Sequence, residues 1–140
     1  EDAAGGAQSF GWVVAVLIAA VLTQAEVKQS ADIAKKPGLE VLLEIHNEEE
    51  LGHDCEQVDM IGVNNRNLKT FAVNIDVSLD LINKIPNGKP AIAESGISDV
   101  DTIVTLRRAG FKGFLIGENF MKQASPSVAF ADFVNQLKAK

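Results

Sequence analysis

Apolar residues fall into short, nearly unbroken runs, at 13–21, 41–45, 60–63, 91–93 and 113–116, and each run is followed by a polar stretch with the marks of a helix start. Runs without polar alternation suit parallel strands covered on both faces, so the rhythm predicts βα repetition. After the first run, Thr23 and Glu26 have the spacing of a capping box, and Gly38 stops the helix. After the second, Asn47 is placed as an N-cap, with Glu48, Glu49 and Glu50 in a first turn where acids suit the helix dipole. The third run leads into a longer polar loop, 64–74, before a helix near 77–85. Asn87-Gly88 and Pro90 are turn chemistry; a fourth helix is expected from Ser98, with Asp101 three residues on, to Gly110. A last one follows Ser125-Pro126 and reaches about Leu137.

The predicted fold class is α/β: a partial (β/α)8 barrel of about five βα units with a parallel sheet. Five units in 140 residues give about 28 residues each, against about 31 for a complete barrel of about 250 residues. Three units are missing on that count. Residues 1–12 read as a tail and 13–140 as the partial barrel.

Composition narrows the function classes. With 46% apolar and 23% charged residues this is an ordinary globular chain, long enough for one buried core. A net charge of -6 and a pI near 4.8 argue against a nucleic-acid or anionic-membrane surface. The apolar run 10–22 is shorter than the roughly 20 residues a spanning helix needs. Glu1 and Asp2 stand where a signal peptide would be basic, so the run is expected to be a buried strand. Cys55 is the lone cysteine and excludes an internal disulfide, which makes the cytoplasm the expected location.

In a β/α barrel the chemistry sits where strands end, and those positions are strongly polar here. Glu44 breaks the run Val-Leu-Leu-Glu-Ile, and Glu94 ends the next-but-one strand. A buried carboxylate is costly, and desolvation raises its pKa toward the range useful for acid or base catalysis; a structural ion pair is the alternative. Asn64 and Arg66, two apart, would point the same way and can hold a carboxylate or hydroxyls, or fix their own loop by hydrogen bonds. Asn65 and Asn67 read as loop scaffolding. Ser95-Gly96 and Gly117-Glu118-Asn119 each follow a strand and precede helical sequence, and glycine there lets backbone amides approach an anion. Paired on the last two strands, they match the common phosphate site of barrels. His46, His53 and Cys55 have no recognisable zinc spacing; His53 and Cys55 are expected within a helix. There is no Walker loop and no dinucleotide glycine fingerprint.

The ordered segments LLEIHNEEEL, IGVNNRNLKTF, AESGI and GFLIGENFM closely resemble indole-3-glycerol phosphate synthase over about 17–137, strands four to eight of its barrel. The resemblance implies a carbon-carbon lyase of tryptophan biosynthesis. Such an enzyme closes the ring of 1-(2-carboxyphenylamino)-1-deoxyribulose 5-phosphate with loss of carbon dioxide and water, without cofactor or metal. By the same resemblance Glu44, Asn64 and Glu94 are catalytic, and Val16, Arg66 and Ser95 bind substrate. Ser95, Gly96, Gly117, Glu118 and Asn119 hold its phosphate. The family's other acid and its lysines would precede residue 1, and Lys69 and Lys122 lie in loops outside the strand-end pattern, so the chain alone is expected to turn over weakly or not at all. Gly11-Trp12 and Gly52 depart from the family pattern. Two alternatives stay open. One is a non-catalytic phosphate-binding module that self-associates or pairs with the missing units; the other is a further sugar-phosphate barrel such as phosphoribosylanthranilate isomerase.

Overall fold

The structure is a computed structural model that describes residues 13–140, except for the side chains of Glu118 and Asn119. The expected tail, 1–12, lies outside the described residues. Five strands, β1 (Val14–Ile18), β2 (Glu40–Ile45), β3 (Met60–Asn64), β4 (Ala91–Glu94) and β5 (Gly113–Leu115), form one parallel sheet in sequence order. Between and after them run α1 (Gln24–Lys35), α2 (Asp76–Leu81), α3 (Val100–Ala109), the short α4 (Glu118–Met121) and α5 (Pro126–Lys138). Parallel strands in sequence order with helical crossovers are the arrangement of a β/α barrel, here five units of it.

Register separates the two faces. Val41, Leu43 and Ile45 of β2, Ile61 and Val63 of β3, and Ala91 and Ala93 of β4 point to the helices, where they join Val27, Ile103, Leu106 and Phe111 in the core. Each large side chain enclosed this way contributes about 1.5–3 kcal/mol relative to exposure. The opposite face carries Val16, Leu42, Glu44, Gly62, Asn64, Ile92, Glu94 and Leu115, aligned by the pairings Val16 with Leu42, Glu44 with Gly62, and Asn64 with Glu94. Strand residues that read as uniformly apolar thus divide by a period of two, and the polar ones all fall on the lumen side.

The helix starts are largely as read. Thr23 accepts from the Glu26 amide at 3.1 Å, and beyond α1 the Leu39 and Gly38 amides reach Ala34 and Lys35, with Gly38 at φ +86. The cap of α3, however, is Asp99 rather than Ser98: it accepts from the Thr102 amide at 2.8 Å. Ser125 precedes Pro126 at the start of α5 but makes no side-chain cap. The helix expected after Asn47 is only a 3-10 segment, Glu49–His53, although Asn47 does accept from the Glu50 amide at 3.0 Å. Gly52 lies within it, close to α1: a Cβ there would sit 3.1 Å from Gln24 Nε2. Cys55 lies outside this segment, and His53 bonds the Leu22 carbonyl at 2.9 Å.

At the opposite end of the strands Asp59 Oδ2 takes the Val41 amide at 2.7 Å and Lys35 Nζ at 2.5 Å. Burial alone would raise this carboxyl, but the Lys35 and Val41 hydrogen bonds outweigh it and hold its pKa below the usual range.

Candidate functional site

A pocket of about 710 Å³ opens at the carboxyl ends of the strands and is lined by Glu44, Asn64, Arg66, Glu94, Ser95, Gly96 and Gly117, among others. The expected acids, amide, guanidinium and rim glycines therefore meet in one place. Val16 does not: it lies on the lumen face of edge strand β1, level with Leu42 and one layer below Glu44, and is 47% exposed. The side chains of Glu118 and Asn119 lie outside the described residues.

Glu44 and Glu94 come together because of a residue the sequence reading passed over. Gly62 lies level with Glu44 and, on its other side, with Ile92, one layer below Glu94, and a Cβ there would be 3.0 Å from Glu94 Oε2 and 2.7 Å from Leu42 Cδ2. A glycine inside a strand often marks such a close approach. Across this gap the Glu94 carboxyl reaches toward Glu44. Glu94 is 6% exposed, and among the described residues no donor meets its Oε2. Burial first, then the charge of Glu44, then side-chain hydrogen bonding toward Glu44 push Glu94 up to about 8. A carboxyl held neutral into this range can serve as an acid, and it stands beside a second carboxyl in the same pocket.

Around the acids the backbone is held in unusual conformations. Ser95 has φ +67 and Gly96 φ +72. For serine the left-handed region costs about 1–2 kcal/mol, and at Gly96 any Cβ would overlap Val73 Cγ1. What holds this turn is Asn65, 2% exposed: its Nδ2 donates to the Ser95 carbonyl at 3.2 Å, and its Oδ1 accepts from Ser78 N at 3.1 Å and Ser78 Oγ at 2.7 Å. Asn67 folds the following loop, accepting from Lys69 N and Thr70 N, while Asn64 Oδ1 takes the Arg66 amide at 3.0 Å. No acceptor among the described residues takes the amide hydrogen of Gly96 or Gly117, so both are available to an anion.

Other pocket residues were not singled out from sequence. Ser98, one residue before the Asp99 cap of α3, lines the wall, and Val73 is brought in by a bridge to Arg66. Lys122, set aside as a loop residue, also lines the pocket, carried over the rim by α4. Among the described residues no cluster of three or more His, Cys, Asp or Glu is placed to hold a metal ion, and no helix is long and apolar enough to cross a membrane.

Residues 5–133 match the family model described as indole-3-glycerol phosphate synthase. The indole-3-glycerol phosphate synthase of Bacteroides thetaiotaomicron is 46% identical over 123 residues, 88% of this chain and 47% of that protein. The Koribacter versatilis enzyme of the same name is 41% identical over 129 residues, 91% of this chain and 50% of its own length. The chain spans about half the length of the curated relatives it matches. Among solved structures, the tryptophan synthase α-subunit of Pyrococcus furiosus superimposes with a TM-score of 0.73 at 14% identity, over 99% of this chain and 60% of that one. A chain of the Amycolatopsis orientalis BexX/CysO complex gives 0.59 at 20% identity, over 83% and 48%. At such identities these two likenesses concern the barrel fold alone. The family match, extending over most of the chain, and relatives above 40% identity establish that the chain belongs to the indole-3-glycerol phosphate synthase family.

Proposed function

We propose that this chain carries the phosphate-anchoring half of an indole-3-glycerol phosphate synthase site, acting on 1-(2-carboxyphenylamino)-1-deoxyribulose 5-phosphate as a cytoplasmic enzyme without metal or cofactor. The observation that carries the reading is the meeting of Glu44 and Glu94 in one pocket with the Ser95–Gly96 and Gly117 turns. Ring closure with loss of water needs a proton delivered to the departing hydroxyl and another taken from the ring carbon. Neutral Glu94 is suited to the first, and the neighbouring Glu44 carboxyl is placed for the second. Asn64 and Arg66 face the anthranilate carboxylate and the sugar hydroxyls, and the guanidinium offers paired donors. Ser95 and the amides of Gly96, Gly117, Glu118 and Asn119 receive the phosphate, with Lys122 adding charge at the rim. Family resemblance assigns the remaining lysines to strands that this chain does not contain.

Inorganic phosphate titrated into the chain is expected to shift the amide resonances of Gly96 and Gly117, and Gly96→Ala, which collides with Val73 at positive φ, is expected to weaken that binding at least about tenfold. The anthranilate-bearing substrate is expected to bind more tightly than plain ribulose 5-phosphate. Equal affinity would favour another sugar-phosphate barrel, and no response at either glycine would remove the phosphate site altogether.

The strand edges bear on partners. Among the described residues β1 pairs only with β2 and β5 only with β4, leaving Val16 and Leu115 half exposed on the lumen face. Open edges with apolar side chains favour pairing, with further barrel units or with a second copy. Sedimentation is expected to show self-association that a peptide of the first three units suppresses; a monomer at high concentration would count against this.

A further inference from the structure

Ring closure calls, by family resemblance, on lysines that this chain does not contain; moving a proton at the carbon beside a ketone does not. A carboxyl, an oriented donor and an anion rim suffice for that step, and all three line the pocket of about 710 Å³. The donor is Asn64. Its Oδ1 accepts the Arg66 amide at 3.0 Å, and no acceptor among the described residues takes its Nδ2. A side-chain amide whose oxygen is committed in this way can only donate, so Asn64 presents N–H groups to an oxygen of the ligand. The carboxyl is Glu44, which lines the same pocket. The His46 ring beside it stands off at 3.8 Å, beyond hydrogen-bonding distance, and does not tie it.

Register sets the spacing of these groups. Asn64 is level with Glu94 on the next strand, and Glu44 lies on the strand at the other side of β3, level with Gly62. Adjacent strands are about 4.8 Å apart, so the Glu44 strand is one spacing from that of Asn64 and two, about 10 Å, from the strand that ends at Ser95. A five-carbon ketose held by its 5-phosphate on the amides of Gly96 and Gly117 extends back over β3 and β2, with its carbonyl end between Asn64 and Glu44.

We propose that this chain catalyses proton exchange at the carbon beside the ketone of ketopentose phosphates, with Glu44 as the base and Asn64 as the donor to the carbonyl oxygen. Glu44 takes the proton. The C–H electron pair becomes the carbon–carbon double bond of an enediolate, and the carbonyl π pair passes to the oxygen, where Asn64 Nδ2 donates to it. Glu94, an acid up to about 8, stands beside them and can lend that oxygen its proton. Return of a proton from Glu44 to carbon restores the ketone, so no co-reactant is consumed, and the returning proton derives from water once the carboxyl has exchanged. The activity rests on the phosphate rim proposed above and uses no group outside this chain.

Ribulose 5-phosphate is incubated with the full chain in D2O at neutral pH, and the loss of its C1 and C3 proton signals is followed by NMR. Exchange at least about a hundredfold faster than in buffer is expected, the lower end for a positioned acid–base group, while ribulose without the phosphate stays near the buffer rate. Glu44→Gln removes the base; Asn64→Asp keeps an oxygen for the Arg66 amide and loses Nδ2. Each is expected to bring the rate back to within about tenfold of buffer. The response of the Gly96 and Gly117 amides to inorganic phosphate reports the rim and the fold in every protein used. Buffer-rate exchange in a chain whose glycine amides respond would overturn the activity and leave the rim; buffer-rate exchange with no response would overturn both. Fast exchange that survives both substitutions would also overturn the proposal, because the proton would then be moved by another group or another protein.

Discussion

Glu94→Gln is expected to stabilise the fold at pH 8 by about 2–4 kcal/mol and to have little effect at pH 5, while removing any turnover that depends on an acid at this position. The direction follows from the carboxyl's affinity for its proton. Unfolded, Glu94 ionises near its ordinary 4.5; folded, burial and the Glu44 charge keep it protonated to about 8. Between those values folding takes up a proton, so stability falls as pH rises through the window and levels off above the folded value. At about 1.4 kcal/mol per unit the full span is on the order of 4–5 kcal/mol, and sharing of the proton with Glu44 reduces what one substitution recovers. Glutamine has no proton to lose and keeps a donor for Glu44. Urea unfolding at the two pH values measures this directly, and the same stabilisation at both would sink the account. A residue that weakens the fold at working pH while sitting in a pocket is the signature of a functional acid.

Strand order, the helical crossovers and the two acids were readable because each breaks a local rule in a visible way. Glu44 interrupts an apolar run, and Glu94 with Ser95 and Gly96 ends another. Thr23 and Gly38 carry their own capping chemistry. What stayed hidden depends on approach between distant segments. Gly62 looks like a weak strand residue until β4 is laid beside it and Glu94 fills the missing Cβ's space. Asn65 reads as scaffolding, and it is; but that it supports the rim by gripping the Ser95 carbonyl requires residues thirty apart to meet. Val16 was legible as a strand residue and not as a layer, because its level is set by the pairing of Val16 with Leu42. Ser98 and Asp99 compete for one helix start; aspartate takes it, and Ser98 lines the pocket wall. Lys122 follows a four-residue helix whose direction no periodicity gives.

The rim depends on Asn65 more than on any group that touches the pocket, and Asn65→Ala is expected to cost about 3–5 kcal/mol. Its side chain supplies three hydrogen bonds in a site 2% exposed, to the Ser95 carbonyl, the Ser78 amide and the Ser78 hydroxyl. Alanine leaves the buried Ser78 amide and hydroxyl without an alternative, at roughly 1–3 kcal/mol each and partly relieved where the hydroxyl can rotate, and it releases the half-buried Ser95 carbonyl. Ser78→Ala removes one donor and leaves the Ser95 link intact, so it is expected to cost about 1 kcal/mol and to spare the rim. The pair of variants separates stability from function. Ser95 sits at φ +67, a conformation that serine leaves readily once its carbonyl is released. Asn65→Ala should therefore lose phosphate affinity as well as stability, even at temperatures where it remains folded, whereas Ser78→Ala should lose only a little of the latter. Unfolding curves and phosphate titrations on both variants decide it: an Asn65→Ala protein that binds phosphate normally would mean that the strained turn is held by the strand ends alone.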